Sequence, residues 1–106
     1  YYNRITELDG IKFASAREAR RYAELKILVR CKDISELSLQ PRFTLLEAFH
    51  SQGVFHRKIE YVADFMYKNK EGQTVVEDVK GMKTDLFKLK MKLFLYHYRD
   101  YIFLIT

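Results

Sequence analysis

The chain predicts an α/β domain, a mixed central β-sheet flanked by helices, and three observations carry that expectation. Two segments, 15–30 and 86–98, place apolar residues at helical spacing behind N-cap signals. The segments between them alternate or cluster β-branched and aromatic residues. The closing run, 101–106, is almost wholly apolar, as a strand covered on both faces must be. At 106 residues and 48% apolar content, residues 1–106 form one domain with a sizeable core.

Asp9-Gly10 is a turn signal leading into a short strand over 11–14. Ser15-Ala16-Arg17-Glu18 has the spacing of a capping box, and Tyr22, Leu25 and Val29 extend the helix to about residue 30. Residues 34–47 read as one or two strand segments broken at Pro41, because proline cannot donate to a ladder. A long strand over 55–67 and its partner over 74–81 are joined through Lys70-Glu71-Gly72, with Gly72 at the position that needs positive φ. Lys83-Thr84-Asp85 supplies the N-cap of the second helix. That helix separates 74–81 from 101–106, so the last strand is expected to run parallel to 74–81 through a right-handed crossover. The order is αβββαβ after the short opening strand.

One strand carries an anomaly. Thr74-Val75-Val76-Glu77-Asp78-Val79-Lys80-Gly81 reads as buried β by its valines yet holds three charges, and an unpaired buried charge costs several kcal/mol. The hairpin register sets Asp64 opposite Asp78 and Lys80 opposite Val62, with Asp64, Asp78 and Lys80 on one face and Glu77, Phe65 and Val79 on the other. Facing carboxylates destabilise a hairpin by up to about 1 kcal/mol. A divalent cation offsets that repulsion: Mg²⁺ takes one or two carboxylates and completes its octahedron with water and phosphate oxygens. Lys80 then stands ready to polarise the attacking water or neutralise charge building on a phosphate. The plainer alternative is a surface ion triad, since D-x-K is common by chance, and Glu24-Leu25-Lys26 meets its looser form in the same chain. Glu18 lies on the inward stripe of the first helix with Tyr22 and Leu25, and is either a third acid of the site or the N3 residue of the cap.

The segments DGIKFASAREARRYAEL, LSLQPRF, YVADF and VVEDVKGMKTDLFKLKMKLF carry a resemblance to the PD-(D/E)XK nuclease superfamily. Within it, the chain resembles over nearly its whole length a phage and prophage family labelled a domain of unknown function or endonuclease, and sometimes Holliday junction resolvase-like. The resemblance implies a restriction-endonuclease-like core and hydrolysis of DNA phosphodiester bonds with Mg²⁺ or Mn²⁺. It implies Asp64 and Asp78 as metal ligands, Lys80 as the catalytic lysine and Glu18 as the helix-borne acid of the metal site. Gln40 matches a polar position near the site, and Glu77 competes with Asp78 as second ligand. The proline of the superfamily's name has no counterpart, Ala63 standing beside Asp64.

Nineteen Lys and Arg against fourteen Asp and Glu give a net charge of +5, spread over several segments, which favours a polyanionic partner. Arg17, Arg20, Arg21, Arg57, Lys58, Lys83, Lys88 and Lys92 are the expected DNA phosphate contacts. Cys31 stands alone, which with the lack of a signal pattern or a membrane-length apolar run points to a cytoplasmic protein, in a bacterial host if the phage resemblance holds. His50, His56 and His97 lack zinc-site spacing, and the aromatics fall mostly at core positions. A homodimer is expected by analogy with junction-cleaving relatives. A nucleic-acid-binding module that keeps the fold without the chemistry is the alternative function.

Overall fold

The structure, a computed structural model, describes residues 5–106. A two-stranded hairpin, β1 (Thr6–Leu8) and β2 (Ile11–Phe13), turns at Asp9-Gly10, both at positive φ, and leads into helix α1 (Ala16–Arg30). The Ser15 hydroxyl accepts from the Glu18 N–H at 3.2 Å and fixes the start of α1.

Strands β3 (Ser35–Leu39) and β4 (Arg42–Leu46) follow, then β5 (Phe49–Ser51), β6 (Val54–His56), β7 (Ile59–Val62) and β8 (Phe65–Lys68). The expected single strand over 55–67 is therefore corrected to three. Its breaks have a physical cause. Residues 35–51 and 54–68 form one long antiparallel ribbon that kinks where Gln40 and Pro41 face Ala63 and Asp64. Two bonds, Gln40 N–H to the Asp64 carbonyl at 2.9 Å and Ala63 N–H to the Pro41 carbonyl at 3.1 Å, carry the pairing through the kink. Gln40 takes a positive φ of 51°, the local cost of that bend. Two register shifts, at 35–38 and 44–46, add further twist.

Strand β9 (Thr74–Asp78) pairs with β8 in the expected register, Phe65 facing Glu77 and Lys68 facing Thr74, and Gly72 turns the loop at φ 82°. The register stops short of Val62, which pairs with Arg42 instead of facing Lys80. Helix α2 (Asp85–His97), capped by the Thr84 hydroxyl, leads to β10 (Ile102–Ile105), which runs parallel to β9 as expected. The central sheet is mixed and four-stranded, in the order β10-β9-β8-β3.

Two cores flank this sheet. Phe13, Ala19, Tyr22, Leu25, Ile34, Phe65, Tyr67, Val75 and Val79 form one, on the α1 side. Phe43, Leu45, Tyr61, Ala63, Val76, Phe87 and Phe94 form the other, on the α2 side. Alternation along β9 therefore sends Val75, Glu77 and Val79 one way and Val76 and Asp78 the other, and residues 75–79 are all buried. Among the described residues no helix is long and apolar enough to cross a membrane.

Candidate active site

Glu77 and Asp78 are neighbours in sequence but belong to opposite layers. Glu77, fully buried, receives both ends of the Arg21 guanidinium, Nε to Oε1 and Nη2 to Oε2, each at 2.8 Å. The Tyr67 hydroxyl also donates to it, and Thr106 Oγ1 lies 3.4 Å from Oε1. Burial alone would raise the Glu77 pKa, but the Arg21 and Tyr67 contacts outweigh it and hold the carboxyl below its ordinary range. This is a fully satisfied ion pair between α1 and the sheet. Glu77, expected as an accessory acid, is held by Arg21, and Arg21, expected as a phosphate contact, is held by Glu77 and by Glu24 at 2.9 Å.

Asp78 lies at the end of β9, 1% exposed. Tyr61, from β7, donates its hydroxyl to Asp78 Oδ2, and Lys80 Nζ stands 3.3 Å from Oδ1. The same ammonium sits 4.7 Å above the Phe87 ring, so α2 fixes the lysine from its far side. Asp64, at the kink before β8, accepts the Val79 N–H at 2.6 Å. Its side chain shares a cavity wall with Glu18, and it lies near enough to Glu18 and Asp78 for both to shift its pKa. The N–H of Glu18 donates to the Ser15 hydroxyl that caps the helix, so the backbone serves the cap and leaves the carboxyl among the other acids.

These contacts bring Glu18, Asp64, Asp78 and Lys80 to one end of the sheet. Burial raises the pKa of all three acids and the charge of a neighbouring acid adds to it, while the hydrogen bond with Asp64 lowers the pKa of Glu18 and that with Asp78 lowers the pKa of Asp64, each offsetting part of the rise. Asp78 rises to about 6: burial contributes most, the Asp64 charge adds to it, and Tyr61 and Lys80 offset part of the rise. A cleft of about 450 Å³ opens beside the cluster, lined by Ser15, Arg17, Glu18, Val79, Lys80 and Gly81. A smaller cavity of about 110 Å³ is lined by Glu18, Gln40 and Asp64 together with Lys12 and Phe13. Gln40 therefore shares a wall with the acids. Among the described residues no group of three or more His, Cys, Asp or Glu is arranged to hold a metal ion by itself.

Of the expected phosphate contacts, Arg17, Arg20 and Arg21 line a groove of about 180 Å³ next to the cleft. Lys83, Lys88 and Lys92 are exposed on and before α2, and Arg57 and Lys58 lie on the ribbon beyond β6. Sequence reasoning missed Tyr61 and Lys12. The signal for Tyr61 was a tyrosine at an inward strand position, whose hydroxyl needs a partner once buried.

The fold and site define a mixed α/β protein with three clustered acids and a lysine at one end of its sheet. The chain belongs to DUF1064, a family described as a protein of unknown function, matched over residues 1–105. That family is phage-associated and loosely linked to the PD-(D/E)XK nuclease clan. No curated protein and no solved structure matches the chain.

Proposed function

We propose that the chain is a Mg²⁺- or Mn²⁺-dependent DNA endonuclease with a restriction-endonuclease-like core, which hydrolyses phosphodiester bonds, in branched DNA among others, during phage replication or recombination. The observation that carries the reading is that Asp64 shares a cavity wall with Glu18 and accepts the N–H of Val79, the residue next to Asp78, which Lys80 meets at 3.3 Å. Crowded carboxyl groups with raised pKa values, Asp78 buried and Glu18 and Asp64 half-buried, suit a hard divalent ion. Mg²⁺ commonly uses only one or two protein carboxylates, so the lack of a three-residue cage fits it.

Asp64 and Asp78 are the residues that would hold the ion, and Glu18 the one that would order the water around it. Bound there, Mg²⁺ supplies charge to the phosphate oxygens and acidifies a water. The chain's own side chains do the rest. Lys80 lines the cleft, and its ammonium, fixed between Asp78 and Phe87, is the cation nearest the acids to offset negative charge building on the phosphate. Tyr61 holds the Asp78 carboxyl in one orientation, and Arg17 stands on the cleft wall to position the strand.

One observation favours a second reading, a nucleic-acid-binding module without chemistry: both Asp78 oxygens already have partners, Tyr61 and Lys80. The test is incubation with linear and four-way branched DNA in Mg²⁺ or Mn²⁺. Wild type should cut, and Asp78→Asn and Lys80→Ala should each lose at least about 100-fold in rate while still binding DNA. Wild type that binds but cuts no faster than Asp78→Asn leaves only the binding module. A homodimer, each copy cutting one strand, is part of the proposal and is read from sedimentation of the DNA-free protein.

A further inference from the structure

Residues 46–59 form an arm that belongs to neither core. Its strands keep one register from Leu46 facing Ile59 out to Ser51 facing Val54. Gln52 and Gly53 close it at φ 55° and 73°, the two-residue turn whose twist matches a hairpin. Every residue from 46 to 59 is exposed, and β5 and β6 contact chiefly each other. The radius of gyration, 15.7 Å, exceeds the roughly 13 Å of a compact chain of this length, and the longest dimension is 53 Å, as a projecting arm requires.

The arm is costly as it stands. Phe49 is 43%, Val54 53% and Phe55 55% exposed, and an isolated two-stranded ribbon is marginal in water. A groove of about 470 Å³ runs along it, with Leu46, Phe49, Phe55 and Ile59 as apolar walls and Arg57 and Lys58 at its edge. Glu47, at its root, is the only acid of the arm, against Arg57, Lys58 and two histidines, and Lys58 also reaches Glu60, just beyond it, at 3.3 Å. A second copy of the arm is a poor occupant, because a two-fold interface sets each patch against itself and brings these cations together. A sugar–phosphate backbone fits both features, deoxyribose against the apolar walls and phosphates against the cations.

The root of the arm is the kink at Gln40 and Asp64, beside the acid–lysine site. Eleven residues separate Asp64 from the Gly53 tip, so at about 3.3 Å each the arm reaches at most about 36 Å, one turn of duplex. We infer that the arm is a second duplex-binding element, lying along the DNA backbone up to about ten base pairs from the acid–lysine site. This rests on the reading of the chain as a DNA-binding protein, and adds a site outside its chemistry.

The test is fluorescence anisotropy without a divalent ion, on duplexes of about 12 and about 30 base pairs, with the arm at R57A/K58A and, separately, at Phe55→Ser. All three positions are exposed, so the fold is kept. Two lost phosphate contacts should flatten the salt dependence on the long duplex by about 1.8 in log–log slope, so raising salt from 50 to 200 mM should cost the variant roughly tenfold less affinity than wild type. Phe55→Ser should weaken long-duplex binding severalfold at unchanged slope. The short duplex should respond less to both. Unchanged slope and affinity on the long duplex overturn the inference, as does a change in sedimentation mass with DNA binding intact, which assigns the arm to a second copy. If arm-dependent binding appears in a protein that never cuts, the nuclease reading fails and the arm stands; arm-independent binding by an active nuclease gives the reverse.

Discussion

Asp78 and Glu77 are adjacent carboxylates with opposite energetic signs. Folded Asp78 takes up a proton near pH 6 against 3.8 ordinarily, so between those values the folded chain binds more protons than the unfolded one. Stability from this group is therefore greatest below pH 4 and is lost as pH rises through 6, by up to about 3 kcal/mol. Asp78→Asn should accordingly raise the melting temperature in metal-free buffer at pH 8 while abolishing cleavage, which scanning calorimetry and a nicking assay will read side by side. Glu77 runs the other way. Its paired carboxylate is a stabilising group, and Glu77→Ala leaves the Arg21 guanidinium without its buried partner, at a cost of about 3 kcal/mol in urea unfolding. A double-mutant cycle with Arg21→Ala should recover most of that figure as coupling. The sequence placed both acids on a buried strand and on opposite faces, and its register favoured Asp78 over Glu77 as the partner of Asp64, but it gave no partner for Glu77. The missing information was Arg21: it lies between Glu18 and Leu25 on the inward arc of α1, and no local pattern pairs it with a residue far along the chain.

At the scale of elements, the hairpin was legible because its turn chemistry fixes it. Gly72 at φ 82° sets the register of β8 against β9, and that register brings Asp64 to Asp78. Gly72→Ala should cost about 1 kcal/mol through the strained φ alone, since its Cβ meets open space, and should leave cleavage unchanged. The caps at Ser15 and Thr84 and the parallel return of β10 were equally legible, being set by short signals and by connection length. The ribbon was not. Residues 55–67 alternate well enough to read as one strand, and nothing local marks Ala63-Asp64 as a kink, because the kink is imposed from across the ladder by Gln40 and Pro41. The Gln52-Gly53 turn carried its own glycine signal and was the part that closer reading of turn residues would have found.

On the scale of the whole molecule, one sheet separates two layers and uses its open end for the acids. Neither core is complete without β9, which explains why a strand with three charges in or beside it is also the most buried in the protein. Its charges are tolerated because each has a partner from a different element: Arg21 from α1, Tyr61 from β7, and for Lys80 the Phe87 ring of α2. The crowded acids at the end of the sheet remain an electrostatically unfavourable feature, and a bound cation is the proposed relief. Titration of Mn²⁺ followed by electron paramagnetic resonance tests that directly. The account predicts one saturable site per chain, accompanied by proton release at pH 6 and lost in both Asp64→Asn and Asp78→Asn; saturable binding that survives both substitutions, or no binding by wild type at millimolar Mn²⁺, contradicts it.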